Sequence, residues 1–234
     1  YLARLQIDID LDYLKKRLQN VESFIDEEIK IQIKMLTDNM FTYQDGDGVV
    51  GLTEKGKIAV TLQELAPLPF AEIIENGILD NLDTKQIVAV LSCFTNMHLS
   101  DDMTVHSIAT INIDENVKKA ITDVKNTYNK YFDIETSYQL DTGCDYNLTY
   151  DILVYIMEWI DADSELQCKL VLQSLSHHNM FLGEFIKALL KINNIATELE
   201  KVAEINNKID LLQKLRCIPS KTLKFIATNQ SLYV

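Results

Sequence analysis

The side chains able to do chemistry in this chain are scattered, and their spacing argues against most kinds of site. Cys93, Cys144, Cys168 and Cys217 stand singly, without a CxxC pair or any Cys/His spacing suited to a metal. That pattern predicts buried free thiols in a reducing intracellular compartment, cytoplasm or nucleus, and neither disulfides nor a zinc site. His177 and His178 are adjacent, so on a helix they would face apart, and His98 and His106 are isolated. His98 and His106 read as surface residues, and a metal role for His177-His178 is not expected. Asp45-Gly46-Asp47-Gly48 invites comparison with a calcium loop. Counted from Asp45, however, the sixth position is Val50, where the loop needs glycine, and the twelfth is Gly56, where it needs a bidentate glutamate. The sequence contains no GxxxxGK[ST] phosphate loop, GxSxG or HExxH. With 35 acidic residues against 22 basic ones, an abundance of carboxylates carries no specificity. No catalytic residue and no metal ligand is assigned.

One constellation remains. Lys187, Lys191 and Asn194 recur at i, i+4 and i+7 in a stretch whose apolar positions (Phe185, Ile186, Leu189, Ile192, Ile195 and Leu199 among them, with Leu190) predict an amphipathic helix over 181–203. The three polar side chains project from one edge of its other face, and the plain reading is a solvated side. The net charge of −13 argues against indiscriminate binding of a polyanion. It is unevenly spread: residues 183–234 hold eight Lys/Arg and five Asp/Glu, a net of +3, which leaves −16 on residues 1–182. A contact with nucleic acid, if the chain makes one, belongs in its C-terminal part.

The elements that would position such a helix are mainly α-helical. Seven Gly and three Pro in 234 residues are too few for the turns of an all-β sandwich or barrel. A helix broken once is expected over 9–41, with Leu11, Leu14, Leu18, Val21 and Ile25 at helical spacing. A β-hairpin is expected over 41–59 on the strength of its Asp-Gly turn. A helix from about Pro69 should stop at Asn76-Gly77, and one capped by Asp83 or Thr84 should bury Ile87, Val88, Val90, Leu91 and Phe94. Further helices are expected over 116–132, 148–162 (with Trp159), 164–174 and 203–216, the last ended by Pro219. The organisation expected is one composite unit: helices, hairpin and helical pair over 1–97, a diverged or inserted segment over 98–147, and a C-terminal bundle over 148–234. Tyr1 opens the sequence mid-pattern, which fits a piece of a longer chain. No apolar run approaches the roughly 18 residues of a membrane span.

The stretch LTEKGKIAV followed by IIENGILDNLDTKQIVAVLSCF resembles the core of the DSHCT domain, the C-terminal helical module of exosome-associated DExH-box RNA helicases. The likeness continues through 183–234 and departs most over 98–145. It implies an accessory domain of an ATP-dependent 3′-to-5′ RNA helicase that closes the channel around threaded single-stranded RNA. ATP and magnesium would sit in the helicase core outside this chain, and no cofactor is expected within it. The implied partners are single-stranded RNA, the core domains of the same chain and RNA-degradation machinery, with no membrane. In that family one long ratchet helix faces the bases, and by position it corresponds to 183–203. The resemblance therefore implies RNA contacts for Lys187, Lys191 and Asn194: lysine neutralises phosphate, and asparagine bonds a base or sugar edge without demanding a sequence. The family favours Arg and Glu at these positions. The alternative class is a protein-docking module without RNA contact, with the hairpin at 43–52 as its exposed feature. The wealth of Ile, Asn, Lys and Asp fits an AT-rich genome, such as that of a large DNA virus or a protist.

Overall fold

A computed structural model describes residues 2–99 and 104–225, and for 2–10, 12 and 20–22 the backbone alone. The chain is mainly α-helical with one small hairpin. Its elements run α1 (Leu2–Asp38), β1 (Thr42–Gln44), β2 (Val50–Leu52), α2 (Glu54–Ala59), α3 (Pro67–Glu75), α4 (Thr84–Ser92), α5 (Glu115–Ser137), α6 (Leu153–Asp161), α7 (Glu165–His177), α8 (Leu182–Ile205), α9 (Ile209–Arg216) and α10 (Ile218–Thr222), with a 3-10 turn at Ile108–Thr110.

α1 is one helix of 37 residues, without the expected break. Its charged residues at 27, 28, 30 and 34 continue the helix through the alternating isoleucines. Leu11, Leu14, Leu18, Ile25, Ile29 and Ile33 lie exposed, and among its described side chains only Met35 near its end is buried. The hairpin is shorter than expected. β1 and β2 pair antiparallel with Thr42 opposite Leu52, and Asp45 makes the turn by accepting hydrogen bonds from the N–H groups of Asp47 (3.0 Å) and Val49 (2.8 Å). That explains the Asp-Gly pair without a cation. Residues 54–59, expected as part of the hairpin, instead form α2, because the Thr53 hydroxyl accepts from the Gly56 N–H at 3.0 Å and starts a helical turn. Gly56 lies so close to the preceding strand that a Cβ there would stand 2.1 Å from the Phe41 carbonyl oxygen.

α4 sits at the centre. It is closed by a reciprocal cap in which Asp83 and Gln86 each accept the other's N–H at 2.9 Å, and every residue from Ile87 to Ser92 is buried. α5, α6, α8, α9 and α10 all pack on it. α5 comes from the segment expected to be diverged or inserted, yet Val117, Ile121, Val124 and Tyr128 belong to the same core as Phe70, Leu91 and Phe94. α6 begins at Leu153, five residues later than expected, because Thr149 is tied to the Cys93 carbonyl by its N–H (3.0 Å) and the buried Asp151 accepts from the Leu99 (3.1 Å) and Val105 (2.9 Å) N–H groups. Trp159 is fully buried and donates its indole N–H to the Thr222 carbonyl at 2.8 Å. The helix expected over 203–216 is divided at Asn206-Asn207, so α9 starts at Ile209, and Pro219 opens α10 instead of ending the run.

α1, α3, α5, α7 and α8 finish alike. Each has a residue in the left-handed region (Met40, Gly77, Gln139, Asn179, Asn207), and the next N–H reaches back five residues, as from Phe41 to Leu36 at 2.8 Å. Only one of these five is glycine. A partly buried ionic knot locks the hairpin end of the molecule. The Glu72 carboxylate takes Lys55 (3.0 Å), Lys130 (2.7 Å) and the Tyr131 hydroxyl (2.6 Å). Partial burial alone would raise its pKa. The hydrogen bonds from Lys130, Tyr131 and Lys55 outweigh burial and hold the carboxyl at about 2. All four cysteines are free, but only Cys93 and Cys168 are buried; Cys144 is half-buried and Cys217 exposed. Burial pushes the Cys93 thiol up to about 12.

Candidate nucleic-acid interface

α8 is straddled by the core. Phe185, Ile186, Ala188, Leu189, Ile192, Ile195, Ala196 and Leu199 are buried along one side, and Glu184 closes the first turn by accepting from the Phe181 N–H at 3.1 Å. Leu190, expected in that stripe, sits at its margin and is 36% exposed. Asn193 is buried as well, where its amide donates to the Leu189 carbonyl (2.6 Å) and the Thr222 hydroxyl (2.8 Å). Lys187, Lys191 and Asn194 lie outside the buried stripe, as do the exposed Leu190, Thr197 and Lys201.

The three do not share one environment. Lys187 is exposed and makes no ion pair with a described residue. Lys191 is half-buried against the loop between α2 and α3, donating to the Glu64 carbonyl at 3.1 Å and pairing with the Glu64 carboxylate. Asn194 donates weakly to the other carboxylate oxygen at 3.4 Å. One turn on, Glu198 accepts the N–H groups of Gln63 and Glu64, each at 3.0 Å, which seats that loop on the helix. Glu64 and Glu198 were not singled out in the sequence. Glu64 lies 127 residues before Lys191 in a loop without a motif, so no local signal points to it.

A cavity of about 330 Å³ opens beside this contact, walled by Gln63, Glu64 and Lys191 and, across it, by Asn96, Asp145 and Asn147. An edge with one free cation, one guarded cation and an amide can bind phosphate and bond to a base or sugar. It offers no nucleophile and no paired acid and base. No group of three His, Cys, Asp or Glu among the described residues could hold a metal, and no described helix is long and apolar enough to cross a membrane.

Residues 50–226 match the DSHCT (NUC185) domain, and the chain belongs to that family. It is also similar to the DExH-box ATP-dependent RNA helicase DExH10 of Arabidopsis thaliana, at 21% identity over 236 residues, covering 100% of this chain and 22% of the relative. The chain thus spans about a fifth of the length of the curated relative it matches. The family match runs through 98–145, in keeping with the place of α5 in the core.

Proposed function

We propose that this chain is the C-terminal accessory domain of an ATP-dependent DExH-box RNA helicase, in which α8 faces single-stranded RNA drawn 3′-to-5′ through the channel that the domain closes. The observation that carries the reading is the outer edge of α8, where Lys187, Lys191 and Asn194 line up opposite the stripe that the helix buries in the core. Lysine in place of arginine keeps the phosphate contact and gives up planar stacking on a base, so the edge suits sequence-independent grip. ATP and magnesium belong to the core domains of the longer protein. Those domains, the RNA and the RNA-degradation machinery are the partners of this reading, and free cysteines suit a reducing intracellular setting.

The test is RNA-stimulated unwinding by the full-length protein at moderate salt. Lys187→Ala/Lys191→Ala should reduce it and flatten the salt dependence of RNA binding; unchanged unwinding would sink the reading. A docking module without RNA contact is favoured by a different observation, the hairpin that leaves Tyr43, Val49, Val50 and Leu52 exposed. Titration of labelled single-stranded RNA separates the two, because the docking module binds none even at low salt.

A further inference from the structure

The cavity beside Lys191 does not end at Asn96 and Asn147. Those two residues and Asp145 also wall a second cavity of about 490 Å³, which continues to His98, His106, Lys125 and Asn129. Its size falls within the roughly 300–1,000 Å³ usual for ligand sites. Two carboxylates line it, but both are turned to donors of the wall itself. Asp145 accepts from the Asn147 N–H (3.0 Å) and amide (2.9 Å) and from the Asn96 amide (3.4 Å). Asp151 has one oxygen on the Leu99 N–H and the other on the Val105 N–H. On the α5 side, Lys125 and Asn129 are exposed one turn apart, and neither makes an ion pair or hydrogen bond with a described residue. A cation and an amide in that register, left over in a cleft whose acids are already bonded, suit a phosphate and a base or sugar edge.

We propose that this second cavity takes one nucleotide of the single strand that lies along α8, with Lys125 on its phosphate and Asn129 on its base or sugar. The proposal rests on the α8 reading and adds a contact contributed by α5. The strand would leave the Lys191 end of α8, pass Asn96 and Asn147, and set its next nucleotide over α5.

The experiment measures binding of an oligouridine of about 20 nucleotides carrying thiouridine by the full-length protein, as affinity against salt and as photo-crosslinks located on the chain. Lys125→Ala/Asn129→Ala should weaken binding about threefold to tenfold and lower the slope of log affinity against log salt by about 0.7, the share of one single-strand phosphate. Lys125→Arg should restore the slope, which a merely structural role would not require. Crosslinks should fall in 96–98, 104–106 or 125–147, and uridine monophosphate at matched concentration should not compete. If Lys125→Ala/Asn129→Ala leaves affinity and slope unchanged while Lys187→Ala/Lys191→Ala weakens both, the second cavity is overturned and the α8 reading stands. If neither variant changes binding, both fall. Competition by the mononucleotide overturns the strand in favour of a free nucleotide.

Discussion

The Lys191 ammonium is held by Glu64 twice, through its main-chain carbonyl and through its carboxylate, and the same carboxylate also takes the Asn194 amide. An acidic side chain of the chain's own thus stands where the α8 reading puts an RNA phosphate. The pair is about a third exposed on both sides, so it contributes at most about 1 kcal/mol to stability.

Glu64→Gln removes the competing charge and leaves the loop seated by Glu198. Affinity for single-stranded RNA should rise about twofold to fivefold at low salt, the range set by a pair worth up to about 1 kcal/mol. Fluorescence anisotropy would show it, together with a thermal midpoint close to that of the parent. Unchanged or weaker binding would mean that Glu64 does not compete with the strand.

Gly56→Ala should damage the fold out of proportion to one methyl group. The added Cβ would meet the Phe41 carbonyl oxygen at 2.1 Å, and neither partner is a flexible side-chain end. Relief requires the start of α2 to move off β1, at a cost of about 1–3 kcal/mol or more. Urea unfolding would register the loss; a variant as stable as the parent would show that the approach can open freely.

Glu72 predicts a particular acid sensitivity. Its folded pKa, about 2, lies below the ordinary value of 4.5, so its contribution is fully present above pH 4.5 and is lost as pH falls towards 2. The shift corresponds to at most about 3 kcal/mol. Glu72→Gln should therefore destabilise the chain near neutrality, where it also strands the nearly buried Lys55. The gap between parent and variant should close as pH drops through that window. A gap independent of pH, followed by urea unfolding at several pH values, would refute the ionic account.

Much of the architecture is legible in the sequence where local chemistry decides it. Asp83 with Gln86, Asn76-Gly77 and the Asp45 turn are short-range signals, and each forms as its residues require. Helix ends without glycine were harder to read. Met40 and Gln139 take the left-handed position despite their Cβ, because the back-reaching N–H bonds and the packing beyond them outweigh a modest backbone cost. The start of α6 was misplaced because Thr149 and Asp151 are held by partners about 50 residues away, which no window along the chain contains. The α8 edge was visible as spacing. Its engagement was not, since Glu64 and Glu198 act through the tertiary fold.

Near its C-terminal end α1 meets the remainder of the chain: Met35 is buried, Thr37 shares a hydrogen bond with Thr42 at 2.9 Å and Asp38 takes the Tyr138 hydroxyl at 2.5 Å. At about 1.5 Å per residue its 37 residues make a rod of roughly 55 Å. It joins the hairpin through Met40, whose φ is 61°. A rotation of about 10° there would sweep the far tip through roughly 10 Å, about the width of a helix. Geometrically the domain carries a lever with its fulcrum at the hairpin, and whatever orients Met40 and Phe41 steers a point far outside the core.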